Sequence, residues 1–182
     1  MLKQICFYIL LLAFFSGAYS QNSDGVWLHP NKGQWDSKIL YKVELQNGSF
    51  YVEKDRFTYD LHNLSDIYHH HHEEGEHHES NDIKRHTIHS VFSNSSWSGE
   101  LKEEKQSDFY RNYYIGNDST KWASKVHSLK KVRMIDMYDG IDLIIEASEN
   151  GIKYSFELDP NVDPSIIHID FIGADSLNYS NE

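Results

Sequence analysis

The chain has 182 residues, 39% of them apolar, with 28 acidic against 17 basic side chains and a formal net charge of −11. That balance repels phosphate backbones, and no basic stripe interleaved with aromatics relieves it, so nucleic acid is not an expected partner. The only cysteine, Cys6, lies near the N-terminus. The rest of the chain therefore has no thiol nucleophile and no disulfide, and must hold itself together by packing a core.

Residues 1–20 have the three parts of a secretory signal peptide. Lys3 makes the n-region cationic, Ile5 to Phe15 form a short apolar run, and Ala18-Tyr19-Ser20 place small side chains at the two positions a signal peptidase reads. The apolar run falls well short of the roughly 20 residues a helix needs to span a bilayer. The small residues that a lipoprotein site requires before its cysteine are absent at Cys6. A mature chain from Gln21 is predicted, secreted or at the cell surface, with no membrane span after signal removal. Residues 21–182 are expected to form one β-rich domain.

From there the hydrophobic pattern has period two. Ile39, Tyr41, Val43 and Leu45 alternate with polar residues in an N-terminal meander of strands near 38–46, 49–54 and 56–61. Strands near 86–93 and 109–115 follow. The only helical turn expected is Ser119 to Ser124, capped by Asp118 or Ser119. A C-terminal meander is expected near 127–138, 141–148 and 152–158, with Ile152, Tyr154, Phe156 and Leu158 alternating in its last strand. A final strand lies near 166–172, with Ile167, Ile169 and Phe171 on one face. Asn47-Gly48, Asp139-Gly140 and Asn150-Gly151 are hairpin dipeptides that accept positive φ at both central positions of a two-residue loop. The fold class that follows is all-β: an antiparallel sandwich or open barrel built from hairpin meanders.

One stretch breaks the pattern. His69, His70, His71, His72, His77 and His78 stand among glutamates in a His/Glu-rich segment at about 66–82. With no apolar periodicity to offset the entropy of ordering, it reads as a disordered, solvated loop. Imidazole beside carboxylate can ligate zinc, nickel or copper, but the spacing lacks the fixed four-ligand geometry of a structural site. A specific metal site, adventitious divalent-metal binding and a plain solvated loop all stay open for these six histidines. Their charging toward pH 6 is a further possible response, although no bistable element is visible for it to switch.

No catalytic constellation stands out. Asp139, Asp142 and Glu146 are close in sequence, but alternation puts Asp142 and Glu146 on one strand face beside Ile144, with Asp139 in a turn. There is no nucleophile elbow and no glycine-rich phosphate loop. Trp27, Trp35, Trp97 and Trp122 could form a platform for sugar stacking, although aromatics at strand spacing are more often core. Asn-x-Ser sequons at Asn47, Asn63, Asn94, Asn117 and Asn178 matter only in a host that glycosylates exported chains.

A series of short motifs runs along the chain. Pro30-Asn31-Lys32-Gly33-Gln34-Trp35 comes first, then Glu53-Lys54-Asp55-Arg56-Phe57, then Tyr114-Ile115-Gly116-Asn117-Asp118 with Lys121-Trp122-Ala123. Val132-Arg133 leads to Tyr138-Asp139-Gly140-Ile141-Asp142-Leu143, followed by Gly151-Ile152-Lys153-Tyr154 and Asp163-Pro164-Ser165. This series, spanning roughly residues 29 to 175, resembles the N-terminal domain of large secreted and surface proteins of Bacteroidota. Such proteins often carry β-propeller-type or immunoglobulin-like PKD modules downstream, and many end in a type IX sorting signal or a gliding-motility-associated domain. Asp139 stands where that pattern usually has proline, and the His-rich loop falls where its sequences vary in length.

The resemblance implies location and company but no catalytic residue. The chain is expected to be the N-terminal part of a longer protein, with downstream domains of that same chain among its partners. The expected function is a non-catalytic structural or adhesive module without a cofactor, whose other partner is an unknown surface protein or glycan. A metal-binding or carbohydrate-binding secreted domain is the alternative.

Overall fold

The computed structural model describes residues 25–63 and 83–178. The signal peptide at 1–20 and all six histidines of the His/Glu-rich loop lie outside the described residues. The elements are β1 (His29–Pro30), β2 (Ile39–Leu45), β3 (Gly48–Glu53), β4 (Arg56–His62), β5 (Arg85–Ser93), β6 (Leu101–Tyr113), β7 (Ala123–Tyr138), β8 (Ile141–Ser148), β9 (Gly151–Leu158) and β10 (His168–Ile172). They form two antiparallel sheets, ordered β1-β2-β3-β4-β5-β10 and β6-β7-β8-β9. The all-β, sandwich-like expectation holds, and neither sheet closes into a barrel.

Period-two burial explains the pairing of the sheets. Tyr41, Val43, Phe50, Val52 and Phe57 face inward from one sheet, and Val132, Met134, Leu143 and Ile145 from the other. Phe57 crosses the gap: its ring lies 5.0 Å from Phe50, 4.8 Å from Phe92 and 5.3 Å from Tyr154 of the opposite sheet. Edge-on and tilted contacts of this kind add to the large apolar area that each ring removes from water. Two further ties join the layers. Leu28 exchanges backbone hydrogen bonds with Leu129 of β7, and the Tyr138 hydroxyl donates to the His168 carbonyl while accepting from the His168 N–H.

Several expectations need correcting. The sixth strand starts at Leu101, not near 109, and ends at Tyr113, while the seventh starts at Ala123, not near 127. Leu101 to Asp108 is a polar run on an edge strand, so no alternation marks it. β1 has only two residues and no signature. Phe171 is exposed at the end of the edge strand β10, whereas Ile167 and Ile169 pack against the core. The helical turn expected at Ser119 to Ser124 is a single 3-10 turn, Ser119–Lys121, with Asp118 as its cap. It is not the only one: Pro164–Ile166 forms a second 3-10 turn capped by Asp163, so the last strand starts at His168.

The three hairpins form where expected, but only their glycines take positive φ. Asp139-Gly140 fills its two-residue loop, whereas Gly48 and Gly151 open the following strands and leave Gln46-Asn47 and Glu149-Asn150 as the loops. At Gly48 (φ +148°) a side chain is excluded outright, since a Cβ would lie 2.0 Å from the Asp60 carbonyl oxygen.

Candidate functional site

β6 and β7 carry three bulges, and a polar side chain stitches each of them. Two extra residues stand between Gln106 and Tyr110; there the Ser107 hydroxyl accepts from the Ser128 N–H and donates to the Phe109 carbonyl. Near the end of the hairpin Lys125 adopts φ +54°, and the Asn112 amide oxygen accepts its N–H at 2.9 Å. Between Met134 and Tyr138, Asp136 adopts φ +51° and its N–H is accepted by Asp142 at 2.9 Å. A bulge frees backbone groups from the ladder and bends the strand, so these acceptors fix how the hairpin is aimed.

This pattern settles where the sequence's acidic candidates go. Asp142 accepts from Asp136 with one oxygen and from Arg133 with the other at 2.7 Å, and Arg133 also reaches Glu157 at 2.6 Å. Glu146 pairs with Lys131 at 3.8 Å, and Asp139 is exposed in its turn. Asp142 and Glu146 share an outer strand face, as the alternation predicts, each tied to its own cation. A second polar chain escaped sequence reading: the Thr58 hydroxyl donates to Glu53 at 2.7 Å and lies 2.8 Å from Nδ1 of His89. Because Glu53 and Thr58 are both buried, the chain satisfies a buried carboxylate and presents no nucleophile to solvent.

The Pro30 to Trp35 motif is a loop wired by two amides. Asn31 accepts from the N–H groups of Gly33 and Trp35 and donates to the carbonyls of Asp36 and Ile39, both at 2.9 Å. Buried Gln34 accepts from the Lys32 N–H and donates to the Pro30 carbonyl. The loop walls a depression of about 450 Å³ where β2 of one sheet faces β6 of the other, lined among others by Lys32, Trp35, Ser37, Tyr41, Leu101 and Glu103. At its floor the Tyr41 hydroxyl donates to Glu103 at 2.8 Å. Burial, reinforced by that carboxylate, pushes the Tyr41 phenol well above its ordinary pKa. Nearby, Arg111 donates to Glu44 at 2.8 Å and holds that carboxyl below the usual range. Behind this wall His29 is lowered to about 4, by burial first and Arg111 second, with Nδ1 2.8 Å from the Ser128 hydroxyl.

Beside the depression stands the β6–β7 loop. Tyr114, Ile115 and Trp122 are 62%, 52% and 45% exposed. Their exposure does not come from slack backbone: the Trp122 indole donates to the Gly116 carbonyl at 3.2 Å, and Tyr114 packs edge-on against it at 5.5 Å. Asp118 accepts from both the N–H and the hydroxyl of Thr120, which holds its carboxyl below the ordinary range. The two loops touch. A Cβ at Gly33 would lie 3.8 Å from the Thr120 carbonyl, and Trp35 packs edge-on against Tyr113 at 5.3 Å. Of the four tryptophans proposed as a platform, only Trp122 is substantially exposed; Trp27 packs edge-on against Phe109 under Lys130, and Trp97 packs against the core.

Among the described residues no group of three His, Cys, Asp or Glu side chains is arranged to hold a metal ion, and no helix is long and apolar enough to cross a membrane. The connection that carries the His-rich stretch leaves β4 and re-enters β5, closed at its base by Asn63 N–H donating to the Lys84 carbonyl.

Neither the curated proteins nor the solved structures contain a match to this chain. A family model does match, over residues 28–182, and its description is a domain of unknown function, DUF7948. The match takes in every described strand, both walls of the depression and the exposed β6–β7 loop. The chain therefore belongs to the DUF7948 family.

Proposed function

We propose that the chain is a non-catalytic extracytoplasmic module of a secreted or cell-surface protein, which acts by holding a partner and not by transforming one. The observation that carries this reading is the contrast within the β6–β7–β8 region. Asp142 and Glu146 there are engaged in ion pairs and a bulge stitch, while the aromatic side chains at the loop are fixed in place and left facing solvent. Exposed aromatics rimmed by polar residues are a usual mark of a binding surface.

The motif series supports a setting at the N-terminal end of a longer surface protein of Bacteroidota exported by the type IX route. The signal-like Met1 to Ser20 supports the first step of that export. Its partners would then be a surface protein or glycan, together with downstream domains of the same chain.

Screening the purified protein against immobilised surface glycans and host proteins, alongside a broad hydrolase panel, tests the reading. Saturable binding without turnover is the expected result. Turnover of any substrate in the panel overturns it.

A further inference from the structure

We propose that the Tyr114–Trp122 pair and the adjoining depression under Trp35 form one site for a neutral oligosaccharide. This deepens the module reading above and rests on it. Three features of the surface select that ligand class.

The first is the form of the aromatic surface. With its N–H engaged by Gly116, Trp122 offers solvent chiefly carbon, and Tyr114 braces the ring at 77°. Such a surface suits a partner with flat C–H faces, and little ordering entropy remains to be lost when it binds.

The second is what lies alongside. Trp35, Lys32, Ser37 and Glu103 line the depression, so an aromatic wall stands with an amine, a hydroxyl and a carboxylate. Glu103 engages Tyr41 through Oε1. Small-molecule sites combine apolar walls with a few fixed polar groups, and hydroxyl-rich rings require that mixture. An apolar peptide would leave those polar groups without partners, at a cost in affinity.

The third is charge. A chain of net −11 disfavours polyanionic glycans and leaves neutral ones unaffected. Trp35 lines the depression and packs edge-on against Tyr113 at the base of the β6–β7 loop, which makes the depression and the platform neighbours, so the site is longer than one sugar ring and suits a chain.

Titration calorimetry and tryptophan emission of the purified protein with cellohexaose, xylohexaose, laminarihexaose and chitohexaose test this. At least one should bind saturably, and Trp122→Ala should weaken it about tenfold or more while lowering the melting temperature by no more than about 5 °C. Glu103→Gln should weaken it by a smaller factor, and the oligosaccharide should protect Trp122 and Trp35 from quenching by iodide. Binding that survives Trp122→Ala unchanged overturns the proposal, as does the absence of binding to every neutral chain. Sedimentation separates two other outcomes. A dimer lost in Trp122→Ala assigns the surface to a second copy and overturns the sugar site. Capture of a host protein that depends on Trp122, with no glycan bound, also overturns it but leaves the module reading standing.

Discussion

Aromatic side chains occupy two regions of this molecule under opposite conditions. Between the sheets, Phe57 contacts Phe50, Phe92 and Tyr154 at 4.8 to 5.3 Å, and the three phenylalanines are almost wholly removed from water. At the β6–β7 loop, Tyr114 and Trp122 keep a similar edge-on geometry at 5.5 Å, yet each leaves about half its surface in solvent. Ring geometry alone does not distinguish a core from a binding surface. What surrounds the rings does: opposing strands in the first case, and in the second a capped turn and a bulge that aim them outward.

The interior member of this comparison breaks most severely. Phe57→Ala removes a ring that contacts both layers of the sandwich. A loss of about 3–5 kcal/mol is expected in urea or thermal unfolding. A loss below about 1 kcal/mol would mean that the sheets are held chiefly by the Leu28–Leu129 and Tyr138–His168 ties.

A pH dependence comes next, at the wall between the two regions. The folded-state pKa of His29 is lowered to about 4 from an ordinary 6.5, so between these values the unfolded chain binds the extra proton. Its contribution is fully present above pH 6.5 and is lost as pH falls toward 4, at no more than roughly 1.4 kcal/mol per pH unit. His29→Gln should flatten unfolding free energy over that window, and an unchanged slope would assign the dependence to other groups.

The bulge stitches are smaller still. Asp142→Asn keeps an oxygen for the Asp136 N–H but weakens the Arg133 pair, and the partly exposed setting makes about 1 kcal/mol the expected loss. Asp142→Ala should cost more, because it also strands the bulge N–H. Equal effects would show that the ion pair, and not the bulge, is what matters.

The two regions were not equally legible in the sequence. β2 and β9 each turn one face to the core, so period two is written into Ile39 to Leu45 and Ile152 to Leu158. The start of β6 is written nowhere: Leu101 to Asp108 lies on an edge, carries charge on both faces, and is interrupted by Lys105 at φ +57° and the Ser107 bulge. Each bulge shifts the alternation, which is why β7 looked shorter than its sixteen residues. The same shifts hid the candidate site. Asp118 could be read as a cap from its spacing, but nothing in the sequence separates Trp122 from Trp97. That distinction arises only when Asn112 and Lys125 turn the end of the hairpin away from the core. The roles of Asn31 and Gln34 were equally silent, since their partners are backbone groups of their own loop.

The smallest expected effect sharpens the comparison most. Trp122→Ala deletes as many ring atoms as any core substitution, yet the ring is only partly buried and its one hydrogen bond lies at the surface. A stability loss of about 0.5–1 kcal/mol follows, several-fold below that of Phe57→Ala. The Asp118 cap and the Asn112 stitch do not depend on the indole, so the turn should keep its form and circular dichroism in the far ultraviolet should not change. If Trp122→Ala instead destabilised the protein as much as Phe57→Ala, the ring would be a structural plug and the loop would have no surface to offer a partner. Near-neutral stability leaves binding as what the exposed ring contributes.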